Sequence, residues 1–513
     1  MPHIEPAHSL LTDPNKLTKK IKLSDNLVEN LLNKVNSLTK FPLNNSQQEA
    51  FINTFDTPLT LIWGPPGTGK TDTLSKILIG WLMRTDKPPM NILIGSNNYN
   101  AIDNIMKKFY EQIEIPDSKF YRIRSSGREK LELTSLIDIN TTTQSDCTKL
   151  YNELETRNQN NIVATTWKQI INISKKGTSS KVNNLNKEWF DLIIIDEASQ
   201  VPVSSAMGYF ILAKKDCHFI LAGDPKQLGP IYSYKIEEKN YLYDCIFTYY
   251  SEKFNIEPNT LNTTYRSNNP ITMWPAERFY KNNYISYEPK KCLNHKIQIK
   301  KEKPTEWPDD LFWHSCLYSL CDPQNPISIL IHDDKVSTLS NSFESDIITA
   351  LTYLYKTIYS DFEDKIFWNN QLGIVTPHRA QVSTIKNKIA SLFNYEESII
   401  AVDSVDKFQG DEREIILSSY SVSDKDFIQA EEEFILNAKR FNVTLTRAKS
   451  KFILVISKSM VEYISGDIKI AEDASHLQMF ITKYCNVIES HKIEYTNQGE
   501  KQFLDCIIKG KSF

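Results

Sequence analysis

The chain of 513 residues is 40% hydrophobic and 24% charged, the composition of a soluble globular protein with room for two or three domains, and it has no uninterrupted apolar run of roughly eighteen residues to span a bilayer. The start, MPHIEPAHSL, lacks the basic-then-apolar layout of a secretory signal, and eight scattered cysteines suit reduced thiols better than a disulfide framework, so an intracellular protein is expected. A net charge of −3 excludes a general attraction to polyanions, and any nucleic-acid contact has to rest on a local surface.

Residues 1–40 are polar except for Leu27, Val28, Leu31, Leu32, Val35 and Leu38, a stripe that predicts a helix packed on the body. From about 41 to 255, the apolar runs LTLIWG, NILIGS, NIVATT, DLIIID and HFILAG alternate with helical stretches. Short runs bounded by turn signals read as buried parallel strands of an α/β domain. Between residues 110 and 160 the pattern is charged and irregular, which predicts an inserted helical subdomain. A second α/β series, 256–460, has ISILIH, QLGIVTP, EIILSSYS and KFILVIS as its strands. Within it, residues 281–325, rich in lysine, proline and aromatics, read as a surface insertion. Residues 461–513 read as a terminal packing segment, because Asp505 and Lys509 lack the spacing and upstream acids of a nuclease edge. Two sheets of one class imply a cleft between them. Cys292, His295, His314, Cys316 and Cys321 are residue types that zinc uses, but no pair of CxxC motifs frames them, and zinc is not expected.

Glycine is scarce, fifteen residues in all, yet three fall within the six positions 64–69. Gly64-Pro65-Pro66-Gly67-Thr68-Gly69-Lys70-Thr71 follows the strand LTLIW and precedes a helical segment. In that context glycines let backbone amides approach phosphate oxygens, Lys70 offers charge to the β and γ phosphates, and the Thr71 hydroxyl suits magnesium. Pro65, Thr68 and Thr73 complete the expected phosphate-binding set. Downstream, DLIIIDE is an apolar strand ending in Asp196 and Glu197, where parallel sheets present their ligand sites. Asp196 is expected to hold the metal and Glu197 to polarise the attacking water. HFILAG then leads into Gly223-Asp224-Pro225-Lys226-Gln227, where Gln227 is positioned to sense the γ-phosphate or the lytic water.

With LNNSQ, GPPGTGKT, DEASQ, GDPKQLGP, LNTTYRS, VDSVDKFQGDE and NVTLTRAK in that order from Leu43 to about Ile456, the chain resembles superfamily 1 helicases, most closely the branch of the nonsense-mediated-decay helicase. The resemblance implies two tandem RecA-like domains with a nucleotide cleft between them, ATP and Mg2+ as cofactors, and single-stranded RNA or DNA as the partner. It gives Gln47 the reading of adenine, Tyr265 stacking on the base, and Arg266 and Arg447 the γ-phosphate. Gln409, Gly410 and Glu412 fall in the block that meets ribose and triphosphate. For the polymer it points to Ser96, Asn97, Asn98 and Tyr99, to Thr165 and Thr166, and to Thr376, Pro377, His378 and Arg379, through backbone contacts that do not read sequence. Tyr99 stands where the family commonly has asparagine, free either to stack on a base or to pack. The expected activity is nucleic-acid-stimulated ATP hydrolysis driving 5′ to 3′ movement. The alternative is an ATP-gated RNA-binding clamp or assembly factor with little unwinding, motivated by Tyr99 and by a segment before Gln47 short for the family's accessory barrel.

Overall fold

The computed structural model describes all residues except 1–4, 18–22, 113–117, 177–187, 231–240, 294–301, 394, 399–400, 409 and 498–499. The chain divides into two compact units, Met1–Asn262 and Thr263–Phe513. The division falls seven residues beyond the sequence expectation because Asn259 and Thr260 still pair with the first strand, and the Leu261 amide donates to the Trp63 carbonyl at 2.9 Å.

The first unit has eight strands: β1 (Leu59–Trp63), β2 (Asn91–Gly95), β3 (Ser118–Arg124), β4 (Leu136–Asn140), β5 (Asn160–Thr165), β6 (Phe190–Ile195), β7 (Ala213–Gly223) and β8 (Asn259–Thr260). They form one parallel sheet in the order β4-β3-β5-β2-β6-β7-β1-β8. Alternation along the strands feeds two cores. Ile92, Ile162, Leu192 and Ile194 face one, with the helices Asp25–Leu38, Asn45–Asp56, Lys70–Leu82 and Tyr99–Tyr110. Leu93, Val163, Ile193 and Ile195 face the other, with Gln144–Thr156, Trp167–Lys176 and Val203–Phe210. A sheet buried on both faces is why these strands read as continuous apolar runs. The N-terminal stripe behaves as its spacing predicts: Val28, Leu31, Leu32 and Val35 are buried, while Leu38 is exposed.

The stretch 110–160 departs from expectation. It supplies β3 and β4, which extend the same sheet, followed by one helix, in place of a helical insertion. Charged side chains inside these strands obscured them: Arg122 and Asp138 are cross-strand partners whose charges cancel.

The second unit opens with a two-stranded parallel ribbon, β9 (Thr263–Thr264) with β10 (Ile285–Ser286). Its main sheet contains β11 (Ile327–His332), β12 (Leu372–Thr376), β13 (Val402–Ser404), β14 (Arg413–Ser419), β15 (Ala448–Ser457), β16 (Asn486–Asn497) and β17 (Glu500–Lys511), ordered β13-β12-β14-β15-β11-β17-β16. The first five are mutually parallel; β17 runs antiparallel to β11, and β16 antiparallel to β17. The terminal segment therefore continues the sheet. The 281–325 stretch is not all surface either: Trp307, Leu311, Cys316, Leu317, Leu320 and Cys321 are buried in the main hydrophobic cluster of this unit. Cys316 and Cys321 thus serve packing, Cys292 is exposed, and His295 lies outside the described residues. No helix among the described residues is long and apolar enough to cross a membrane.

Candidate nucleotide and nucleic-acid sites

In the first unit the carboxyl ends of β1, β7 and β6 are neighbours, which gathers three sequence-distant motifs on one sheet edge. The loop after β1 enters the helix Lys70–Leu82 through Gly67 and Gly69 at φ 71° and 75°, values that side chains with a Cβ rarely adopt. Gln47 holds that loop from outside. It forms a reciprocal capping box with Asn44 at the start of its helix, and its Nε2 donates to the Thr68 carbonyl at 3.0 Å.

Lys70 Nζ lies 2.8 Å from Glu197 Oε1 and 3.6 Å from Asp196 Oδ1. Burial alone would favour a neutral amine, but Glu197, Asp196 and Asp224 outweigh it and keep the ammonium firmly protonated. Asp196 is buried at the end of β6, and desolvation raises its pKa against the pull of Lys70. Glu197 has φ 52°, in the left-handed region, a strained backbone for a side chain of its size. That turn aims its carboxylate at Lys70.

Asp224 is the residue sequence reasoning missed. It is fully buried, and it accepts from Trp63 Nε1 at 3.0 Å, from the Lys226 amide at 3.0 Å and from Gln227 Nε2 at 2.9 Å. Gln227 is therefore oriented by Asp224, and the same carboxylate adds negative potential at Lys70. Its only sequence signal is position, directly after a buried strand. Gly223 is required beside it, because a Cβ there would meet the Ser199 amide at 2.7 Å.

The second unit brings together residues spread from 266 to 449. Arg266 Nε donates to Glu412 Oε2 at 2.6 Å and its Nη1 to the Thr446 carbonyl at 2.7 Å. Lys449 holds the other Glu412 oxygen at 3.0 Å, and Arg447, buried, donates to the Asp411 carbonyl at 3.2 Å. The Arg266 guanidinium, with Lys449, holds the Glu412 carboxyl down at about 2 against the cost of burial. Gly410 has φ 103°, and Gln409 is outside the described residues. Tyr265 is exposed and lies 5.0 Å from Tyr287, ring centre to ring centre.

The ten polymer positions divide by exposure. Asn97 and Arg379 are exposed, and Asn98 and Thr166 are half-buried. Ser96, Tyr99, Thr165, Thr376, Pro377 and His378 are buried. Asn98 caps the helix Tyr99–Tyr110, its side chain accepting from the Ala101 amide. Tyr209 Oη ties the ends of β2 and β5 together by donating to the carbonyls of Ser96 at 2.9 Å and Thr165 at 3.2 Å. His378 is engaged by Glu431 at 2.7 Å and Ser421 at 3.2 Å. Tyr99 packs: its hydroxyl accepts from the Ser125 amide at 3.2 Å, and the guanidiniums of Arg122 and Arg128 lie over its ring.

A parallel sheet with a glycine loop, a lysine and two carboxylates on its carboxyl edge defines a phosphate-loop protein. Comparison with known proteins narrows the class. Two family models, each described as an AAA domain, match this chain, one over residues 42–188 and 157–234 and the other over 242–459. The DNA replication ATP-dependent helicase/nuclease dna2 of Schizosaccharomyces pombe is 28% identical over 406 residues, covering 78% of this chain and 26% of that protein. The putative helicase mov-10-B.1 of Danio rerio is 27% identical over 77% of this chain and 39% of its own length, and DNA polymerase alpha-associated DNA helicase A of Saccharomyces cerevisiae 25% over 80% and 64%. The chain belongs to the superfamily 1 helicases. It spans less than two thirds of the length of each of these relatives. Among solved structures, an arterivirus nonstructural protein 10 helicase in complex with DNA is 12% identical at a TM-score of 0.37, covering 86% of this chain and 67% of that one.

Proposed function

We propose that the protein hydrolyses ATP to move along single-stranded RNA or DNA, in the 5′ to 3′ direction. One observation carries the reading: Lys70, Asp196, Glu197 and the Asp224–Gln227 pair converge on one sheet edge. Gln47, fixed against the phosphate loop, reads the adenine. Lys70 leaves Glu197 for the phosphates, and the freed carboxylate orients water for in-line attack on the γ-phosphorus. The Thr71 hydroxyl and the buried Asp196 carboxylate are hard oxygen donors of the kind magnesium takes, and they would hold the ion. When bound, magnesium supplies charge neutralisation to the phosphate oxygens. In the second unit Arg266 and Arg447 are held by Glu412 and by the backbone carbonyls of Thr446 and Asp411, and the family resemblance gives both the role of meeting the γ-phosphate, in which an arginine is worth about a thousandfold or more in rate.

The test is the steady-state ATPase rate with and without matched single-stranded RNA and DNA, with Glu197→Gln as control. Stimulation by either polymer that disappears in the variant is the expected result, and the two polymers rank the substrate. Turnover indifferent to both polymers would overturn the reading. Duplexes with a single 5′ or 3′ tail then report the direction of movement.

A further inference from the structure

We infer that Arg128, held on the face of Tyr99, is a phosphate-binding residue of the single-strand track, with Lys130 beside it. The inference rests on the nucleic-acid reading above and adds a third loop of the first unit to it. In the sheet order β3-β5-β2, the register pairs Arg122 with Ala164 and Thr165 with Gly95. The loops that leave these strands, from Ser125, Thr166 and Ser96, therefore start side by side on one carboxyl edge. The loop after β3 carries Arg128 and Lys130, both exposed, with Glu129 between them.

Tyr99 joins two of these loops. Its hydroxyl accepts from the Ser125 amide, and two guanidiniums lie over its ring, Arg122 at 5.5 Å and Arg128 at 5.2 Å from the centroid. The two arginines have different fates. Arg122 is buried and bridged to Asp103 at 2.6 Å and to Asp138 at 3.1 Å, so its charge is spent inside the protein. Arg128 has no carboxylate partner among the described residues. Its carbonyl accepts from Arg124 Nη1 at 2.7 Å, which fixes the backbone at that point. A guanidinium laid on an aromatic face keeps its N–H donors at the rim, pointing outward and matched to two phosphate oxygens. Tyr99 thus acts as a positioning residue: it orders the arginine in advance and lowers the entropy lost when a phosphate binds.

The experiment measures single-strand affinity against salt concentration for the parent, Arg128→Ala, Arg128→Lys and Lys130→Ala, with basal ATPase as the check on folding. Each lost phosphate contact reduces the slope of log K against log salt by about 0.7 on a single strand. Arg128→Ala should weaken binding several-fold at low salt, equally for all sequences, and flatten the slope. Arg128→Lys should restore part of the slope. A parent that binds single strands while Arg128→Ala keeps its affinity and slope overturns this inference and leaves the motor reading standing. A parent that binds neither RNA nor DNA overturns the nucleic-acid reading itself, and this inference with it.

Discussion

Glu197 shows how a site is assembled from one strained residue. A left-handed backbone at a glutamate costs about 1–3 kcal/mol, which the surrounding fold has to offset. Here the Lys70 contact at 2.8 Å and the Glu197 amide bonded to Asp196 Oδ1 at 2.8 Å hold the turn. His218 illustrates the same accounting for protons. It is buried on β7 against Trp81, ring centroids 4.8 Å apart, and burial, then Lys87 and Arg84, lowers its pKa to about 4. Unfolded, the imidazole titrates near 6.5. Between these values the unfolded chain binds a proton that the folded one does not, so stability falls as pH drops from about 6.5 to about 4 and is unaffected by this group above that window. At roughly 1.4 kcal/mol per pH unit the loss approaches 3 kcal/mol. Hydrogen exchange in the helix Lys70–Leu82 at pH 7 and pH 4.5 should show the loss in the parent and a smaller one in His218→Gln; equal losses would sink the assignment.

At the scale of elements, close approach decides what a pattern of residues cannot. Gly80 lies inside the helix Lys70–Leu82, where glycine is unfavourable by about 1 kcal/mol relative to alanine. A Cβ at that point would meet Phe51 Cζ at 2.5 Å, so the helix that begins with the phosphate loop packs directly on the helix that carries Gln47. Gly80→Ala should therefore destabilise the first unit, by about 1–3 kcal/mol, in place of the usual gain for an exposed helix. The same substitution should loosen the Gln47 contact and raise KM for ATP. Thermal melting combined with ATP titration checks both; a variant more stable than the parent would contradict the packing argument. Gly95 follows the same rule, since a Cβ there would press on the Tyr209 ring at 2.7 Å and disturb the clamp on Ser96 and Thr165.

At the scale of the whole molecule, each of the two units has one large sheet, and the second is completed by its last residues. β17 pairs with the whole length of β11, from Ile327 opposite Lys511 to His332 opposite Cys506, and buries Cys506 and Ile508. Deleting residues 486–513 leaves that side of β11 without its ladder, an open edge that invites pairing with other chains. Lower melting temperature and aggregation in size-exclusion chromatography are expected, and a monodisperse deletion variant with unchanged melting would refute the role. The sequence by itself determined the phosphate loop, the two carboxylates after DLIII and the strands of continuous apolar character, because a buried parallel strand and a glycine loop each impose a local pattern that survives without context. It also supplied Arg266, Glu412 and Arg447 as motif members. Only the tertiary structure decided that residues 118–124 and 136–140 are strands, since their charges are cancelled by cross-strand partners and leave no apolar signature. It likewise decided that Asp224 orients Gln227, that Arg266 is held by Glu412 across a sequence separation of 146 residues, and that Tyr99 packs beneath Arg128. Those are contacts between distant parts of the chain, and distance in sequence carries no information about which charge meets which.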